Sequence, residues 1–389
     1  MKPNVFEYFM TPISLLGTGC LPEIIKYVTP MKFRKAFIVS DKFLVDSGLT
    51  CKLTDILQQA GIFYIIYDNV SPNPTVEQVE YGLKLYRDNG CDFLISFGGG
   101  SPHDCAKAIG LLATNGGKIQ DYVGLNKASH PAAPLIAVNT TAGTGSELTR
   151  FCVITDTAQQ RKMTITDWHV TPIIAVNDAE LMLDMPPGLT AATGIDALTH
   201  AIEAYVSTNA TPVTDCKALK AIELISRHLP TAVQDGHNRQ AREMMVYAEY
   251  LAGIAFNNAS LGYVHALAHQ LGGKYNLPHG LANGMLLAFV TAFNLTAAPE
   301  KYADIAMAMG LTLPDRRPET IAAVLLGALR TLLDSVHVPC GIKTVKGFDP
   351  TDIPHLAASA LQDVCALTNP RQGSAVELAE ILQAAWSAQ

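Results

Sequence analysis

The chain has 389 residues, is 49% hydrophobic and 16% charged, and carries a formal net charge of −7. That length exceeds what one compact core accommodates and predicts two domains, and the composition excludes a disordered chain. The acidic balance, without a dense Lys/Arg stripe, argues against nucleic acid and anionic membrane as partners.

The opening stretch, MKPNVFEYFMTP, has no apolar core of the kind a secretory signal needs. Eight cysteines are scattered without a CxxC pair, a pattern that fits reduced thiols in a cytoplasmic protein better than a disulfide framework or a Cys-ligated zinc. Four short apolar runs follow: KAFIVSD (35–41), GIFYIIYD (61–68), CDFLISF (91–97) and APLIAVNTT (133–141). Bounded by turns and separated by helical patterns, they predict a parallel, doubly wound, Rossmann-like α/β domain. MPPGLTAATG (185–194) reads as a Pro/Gly/Thr-rich break, beyond which the chain is Ala- and Leu-rich with helical spacing. The expectation there is an all-α second domain. GMLLAFVTAF (284–293) is about half as long as a bilayer span requires and reads as a buried helix.

The third run ends on Gly98-Gly99-Gly100-Ser101, and Pro102 opens a helix. Glycines let backbone N–H groups approach an anion, and the following helix adds its positive end, so the segment suits a pyrophosphate. The same pattern also fits a plain tight turn, because it is neither GxGxxG nor GxxxxGK[ST]. Asp41, closing the first run, has two readings. Its carboxylate accepts the ribose hydroxyls of NAD and repels a 2′-phosphate, or it caps a helix. NTTAGTGSE (139–147) is a second Thr/Gly loop after a strand, able to line the same cofactor or to serve as an ordinary turn.

TGIDALTHAIEAY (193–205) puts Asp196 and His200 four residues apart, on one face of a helix. Glu203 lies near that face as a hydrogen-bond acceptor for a ligand. HALAHQLGGKYNLPHG (265–280) repeats the spacing with His265 and His269. Leu271-Gly272-Gly273 is expected to turn the chain back toward a third histidine, His279. The set is not HExxH, because Ala266 stands where a metalloprotease has its base. One carboxylate with several imidazoles suits Fe2+ or Zn2+.

PNPT (72–75), GGGSPHDCAKAI (98–109), NTTAGTGSELTRF (139–151), LTAATGIDALTHAIEAY (189–205), AGIAFNNASLGYVHALAHQLGGKYNLPHG (252–280) and CALTNPRQG (365–373) together resemble the iron-dependent (group III) alcohol dehydrogenases over nearly the whole chain. The resemblance implies an NAD-binding α/β domain over 1–187 and a helical metal-binding, catalytic domain over 188–389. It implies metal ligands at Asp196, His200, His265 and His279, and assigns His269 to proton handling beside the nicotinamide. It implies cofactor contacts at Asp41, Asn73, Gly99, Gly100, Ser101, Thr140, Thr141, Thr149, Phe151, Lys162 and Leu181. One departure stands out: Ala288-Phe289 occupies a place where many relatives carry Pro-His.

The resulting expectation is an NAD-dependent, iron-dependent oxidoreductase, with Zn2+ as the other ion. It interconverts small primary alcohols or diols and aldehydes by hydride transfer, the metal polarising the substrate oxygen. The resemblance also implies a homodimer or a larger homo-oligomer. The rivals are a zinc-dependent, glycerol-dehydrogenase-like polyol dehydrogenase, a dehydroquinate-synthase-like lyase, and a non-catalytic metal- or nucleotide-binding protein. The lyase would need several basic residues around the metal, and the two ligand segments contain only Lys274.

Overall fold

The computed structural model describes residues 5–159 and 161–388. They divide into two compact units, the first ending at Leu183 and the second beginning at Asp184.

In the first unit, strands β1 (Ile13–Leu16), β2 (Lys35–Val39), β3 (Phe63–Tyr67), β4 (Phe93–Gly98), β6 (Leu135–Asn139) and β9 (Ile174–Asn177) form a six-stranded sheet in the order β1-β9-β6-β4-β2-β3. Every pairing in it is parallel. β4, β6 and β9 are buried at every position, as continuous apolar runs in a sheet covered on both faces must be. Alternation sorts the side chains: Phe37 and Val39 of β2 join one core cluster, Ala36 and Ile38 the other. Helices α1 (Ile25–Val28), α2 (Lys42–Asp46), α3 (Cys51–Gln59), α4 (Val76–Asp88) and α5 (Gly100–Asn115) lie between the strands in sequence.

The four runs expected from the sequence correspond to β2, β3, β4 and β6. A second sheet was not anticipated. β7 (Phe151–Asp156) and β8 (Arg161–Thr166) pair antiparallel, and β5 (Gly124–Leu125) runs parallel to β8. The buried faces of the hairpin, Cys152, Ile154, Met163 and Ile165, pack in the same cluster as residues of α5.

One buried cation ties these parts together. Lys107 of α5 is fully buried, and its Nζ donates to Ser146 O, Ser146 Oγ, Thr149 Oγ1 and Phe151 O at 2.5–3.2 Å. Asp104, one turn earlier, accepts from Ser146 Oγ at 2.7 Å and from the Val153 N–H at 3.0 Å. The helix therefore clamps the second half of the link from β6 to β7 and the start of β7.

The second unit is helical: α6 (Pro187–Val206), α7 (Pro212–Gln234), α8 (Arg239–Ala259), α9 (Tyr263–Tyr275), α10 (His279–Leu295), α11 (Pro299–Ala308), α12 (Pro318–Ser335), α13 (Ile353–Ala360) and α14 (Ala375–Ser387). The Pro/Gly/Thr-rich stretch is the first turns of α6 and not a linker. Pro186 and Pro187 sit where missing N–H groups cost nothing. The Thr190 and Thr193 hydroxyls donate to the Pro186 and Leu189 carbonyls at 3.1 and 2.9 Å. Residues 190–206 of α6 are buried almost without a break, which makes this helix the axis of the unit. Gly194 lets α7 cross closely, since a Cβ there would stand 2.3 Å from Leu229 Cδ1.

Lys107→Met should destabilise the protein by about 3 kcal/mol, because it leaves buried acceptors and a buried carboxylate without their cation. The midpoint of denaturant unfolding measures this, and an unchanged midpoint would remove the clamp.

Candidate metal centre and cofactor cradle

The metal-type donors lie within the second unit. Asp196 and His200 share a face of α6, and Glu203 lies on the next turn of that face. Asp196 Oδ1 stands 3.8 Å from His200 Nε2, 3.7 Å from His265 Nε2 and 3.5 Å from His279 Nε2. A tetrahedral ion with bonds of about 2.1 Å keeps its donors about 3.4 Å apart, close to the three distances from Asp196, and all four ligand atoms lie within 4.8 Å of one another. The side chains of Asp196, His200 and His265 are 1–5% exposed, and that of His279 is 40% exposed. Structural zinc sites are closed, whereas catalytic sites keep an accessible position.

Local packing explains how distant residues meet. His265 Nδ1–H donates to Glu203 Oε2 at 2.6 Å, which aims Nε2 at Asp196. Glu203 Oε1 also accepts the Val264 N–H at 2.6 Å, and Asn369 Oδ1 accepts the Tyr263 N–H at 3.1 Å. These two side chains cap α9 and fix the rotation that presents His265. Gly262 makes room, because a Cβ there would fall 2.8 Å from Asn369 Oδ1 and 2.9 Å from Glu203 Oε1. Phe256 of α8 stacks on His200 at 4.2 Å between centroids and holds that ring flat.

The return turn differs from the sequence expectation. Gly272 and Gly273 lie inside α9, and the chain reverses at Asn276, which adopts the left-handed conformation (φ 52°, ψ 35°). Asparagine tolerates that conformation at a helix C-terminus, so a glycine pair is not required. α10 then begins on His279. Its Gly280 packs directly on α6, where a Cβ would lie 2.1 Å from Ala192 O and 3.1 Å from Asp196 Cβ.

His269 stands apart from these donors. Its Nδ1 pairs with Asp363 Oδ2 at 2.7 Å, and its ring stacks on His279 at 5.3 Å. Burial alone would raise the Asp363 carboxyl, but the His269 hydrogen bond and charge hold it below the usual carboxylate range. Asp363, Phe256 and Asn283 were missed from sequence. Asp363 lies two residues before the quoted CALTNPRQG, and no spacing rule links it to His269.

The first unit brings most of its candidate cofactor residues to the carboxyl ends of neighbouring strands. Asp41 follows β2, Gly99, Gly100 and Ser101 follow β4, Thr140 and Thr141 follow β6, and Leu181 follows β9. The chain leaves β2 for β3 on one side and continues from β4 to β6 on the other. The crevice at this reversal is where open α/β sheets bind ligands. The two loops touch: Thr140 N–H donates to Gly98 O at 3.0 Å, and a Cβ on Gly99 would lie 2.9 Å from Thr141 Oγ1. α5 starts without a side-chain cap, so its first N–H groups are available to an anion.

Asp41 is a helix cap, its Oδ1 accepting the Leu44 N–H at 2.9 Å. Asn73, at φ 59°, takes the Lys162 ammonium on Oδ1 at 2.7 Å and donates its N–H to Ser101 Oγ at 3.3 Å. The β7–β8 hairpin thus carries Lys162 to the cradle. Thr149 and Phe151 are held by Lys107. The Leu181 side chain is buried in the apolar core at 4% exposure.

The family model for iron-containing alcohol dehydrogenase matches residues 12–179, and that for the C-terminal part of the Fe-containing alcohol dehydrogenase family matches 190–386. The chain belongs to the iron-containing alcohol dehydrogenase family. It is an oxidoreductase of the alcohol dehydrogenase class. Over 388 residues it is 44% identical to a 1,3-propanediol dehydrogenase of Citrobacter freundii, covering 99% of this chain and 100% of that protein. It is 43% identical over 377 residues to an NAD-dependent methanol dehydrogenase of Bacillus methanolicus, covering 97% of this chain and 99% of that one. A crystal structure of a 1,3-propanediol oxidoreductase superposes with a TM-score of 0.96 at 45% identity, covering 98% of this chain and 100% of that one.

Gly280→Ala should force α10 away from α6 and part His279 from Asp196. The expected result is at least a tenfold loss of bound metal in a chain that still folds, read by elemental analysis and circular dichroism together. Full metal content in that variant would show that the close approach is not what assembles the site.

Proposed function

We propose that the chain is an NAD-linked, Fe2+-dependent dehydrogenase interconverting small, neutral primary alcohols or diols and their aldehydes. The observation that carries this reading is the buried cluster of Asp196, His200, His265 and His279 with its one exposed edge. When bound, Fe2+ supplies Lewis-acid polarisation of the substrate oxygen and NAD takes up the hydride.

The residues divide the remaining work. Asp196, His200, His265 and His279 hold the ion. Asp363 fixes the proton of His269 on Nδ1, which leaves Nε2 as the atom that takes and releases the substrate proton. The amides of Gly99, Gly100 and Ser101 bind pyrophosphate at the head of α5, with Asn73 and Lys162 beside them. Asp41 uses Oδ1 as a cap and has Oδ2 for ribose hydroxyls. Thr140, Thr141, Thr149, Phe151 and Leu181 shape the rest of the nucleotide site.

Residues 1–187 form the NAD-binding domain in this reading, and 188–389 the metal-binding one. Lys274, the basic residue of the ligand segments, is already paired with Asp352, which disfavours a phosphorylated or carboxylated substrate. No helix among the described residues is long and apolar enough to cross a membrane. We place the enzyme in the cytoplasm as a homodimer or larger homo-oligomer, in keeping with its scattered free cysteines.

The direct test is metal analysis of anaerobically purified protein joined to an NAD-linked screen of short alcohols and diols. NAD reduction with none of them, in metal-replete protein, would favour a non-catalytic metal-binding role. His265→Ala should lose metal and activity together. His269→Ala should keep its metal and lose about 100-fold in kcat; metal loss from that variant would overturn the assignment. Asp41→Gly should raise the ratio of kcat/KM for NADP to that for NAD about tenfold by removing a charge that repels a 2′-phosphate. An unchanged ratio would take Asp41 away from the ribose.

A further inference from the structure

Asn283 lies on α10, one turn beyond His279, and is fully buried. Its Nδ2 is 2.6 Å from Asp196 Oδ1, 3.1 Å from His265 Nε2 and 3.3 Å from His279 Nε2. Its Oδ1 is buried without a hydrogen-bond partner. Leaving a buried carbonyl unpaired costs about 1–3 kcal/mol, so something on the other side of the amide must hold it in this orientation. The Asp196 carboxylate does so. It accepts only, and turning the amide over would set a carbonyl oxygen against its charge.

We propose that Asn283 is a positioning residue of the metal centre, its amide N–H holding Asp196 Oδ1 in the orientation from which it ligates. A carboxylate oxygen has lone pairs for both an N–H and an ion, whereas the single Nε2 lone pair of each imidazole passes to the ion. The bond to Asp196 sets the carboxylate oxygen among the imidazoles before an ion enters, and the contacts to the two rings space the donors beforehand. Gly280 supports this arrangement, because the close approach that brings His279 to α6 also brings Asn283 over Asp196. The inference rests on the reading that these four donors bind a metal.

The test uses the full chain, stripped of metal and titrated with Co2+ against a chromophoric chelator, so that affinity and the visible Co2+ bands are read without turnover. Asn283→Leu fills nearly the same volume and removes both the N–H and the unpaired carbonyl, and circular dichroism checks that the variant still folds although Asp196 loses one hydrogen bond. Asn283→Ala removes the amide by truncation. Both should bind Co2+ about 10- to 100-fold more weakly, with shifted bands, because the Asp196 ligand is free to turn. An Asn283→Leu variant that binds within twofold of wild type, with an unchanged spectrum, would overturn the proposal and leave the metal centre standing. A wild-type chain that takes up no Co2+ would remove the metal centre and this inference together.

Discussion

A carboxylate buried in a helical interior is tolerated only where its charge is met, and Asp196 sets the terms for its whole unit. It lies on α6, a helix enclosed on nearly all sides, and its oxygen faces three imidazoles and an amide. Those partners come from α6, α9 and α10, so three helices must approach one point. The absence of side chains at Gly262 and Gly280 is what lets them, and Glu203 with Asn369 sets the rotation of α9.

The first unit solves a different problem with similar economy. Its ligand-facing surface consists of loops, which have little rigidity of their own. Helix α5 supplies it. The end of that helix nearest the glycine loop has no side-chain cap, and one and two turns along Asp104 and Lys107 fasten the loop that follows β6 and the start of β7. The geometry of both loops therefore refers to a single rod.

What could be read from sequence followed periodicity and local spacing. The continuous apolar runs predict β2, β3, β4 and β6 because parallel strands are buried on both faces. Spacing on one helix exposes the pairing of Asp196 with His200 and the reach of Glu203. The β7–β8 hairpin was overlooked because its buried and half-buried positions alternate, a weaker signal than a continuous run. The turn at Asn276 was misplaced onto Gly272-Gly273 because a glycine pair is a conspicuous breaker, while one asparagine at positive φ is not. Asn283, Asp363 and Lys107 were invisible for another reason. Each acts through a partner brought near by tertiary packing, and a single sequence holds no trace of which distant group a buried polar side chain will meet.

The scatter of the cluster along the chain has a mechanical meaning. An ion gripped by Asp196, His200, His265 and His279 would staple α6, α9 and α10 to one another, much as a disulfide closes a loop. The stretch such a staple would close, from Asp196 to His279, is long, and closing a longer loop takes more entropy from the unfolded chain, though the gain rises only slowly with length. Metal binding energy would then also be folding energy, and the same four side chains would lock the helical unit. Of the four, His279 is the one whose side chain solvent reaches, so the lock has its one wet face there.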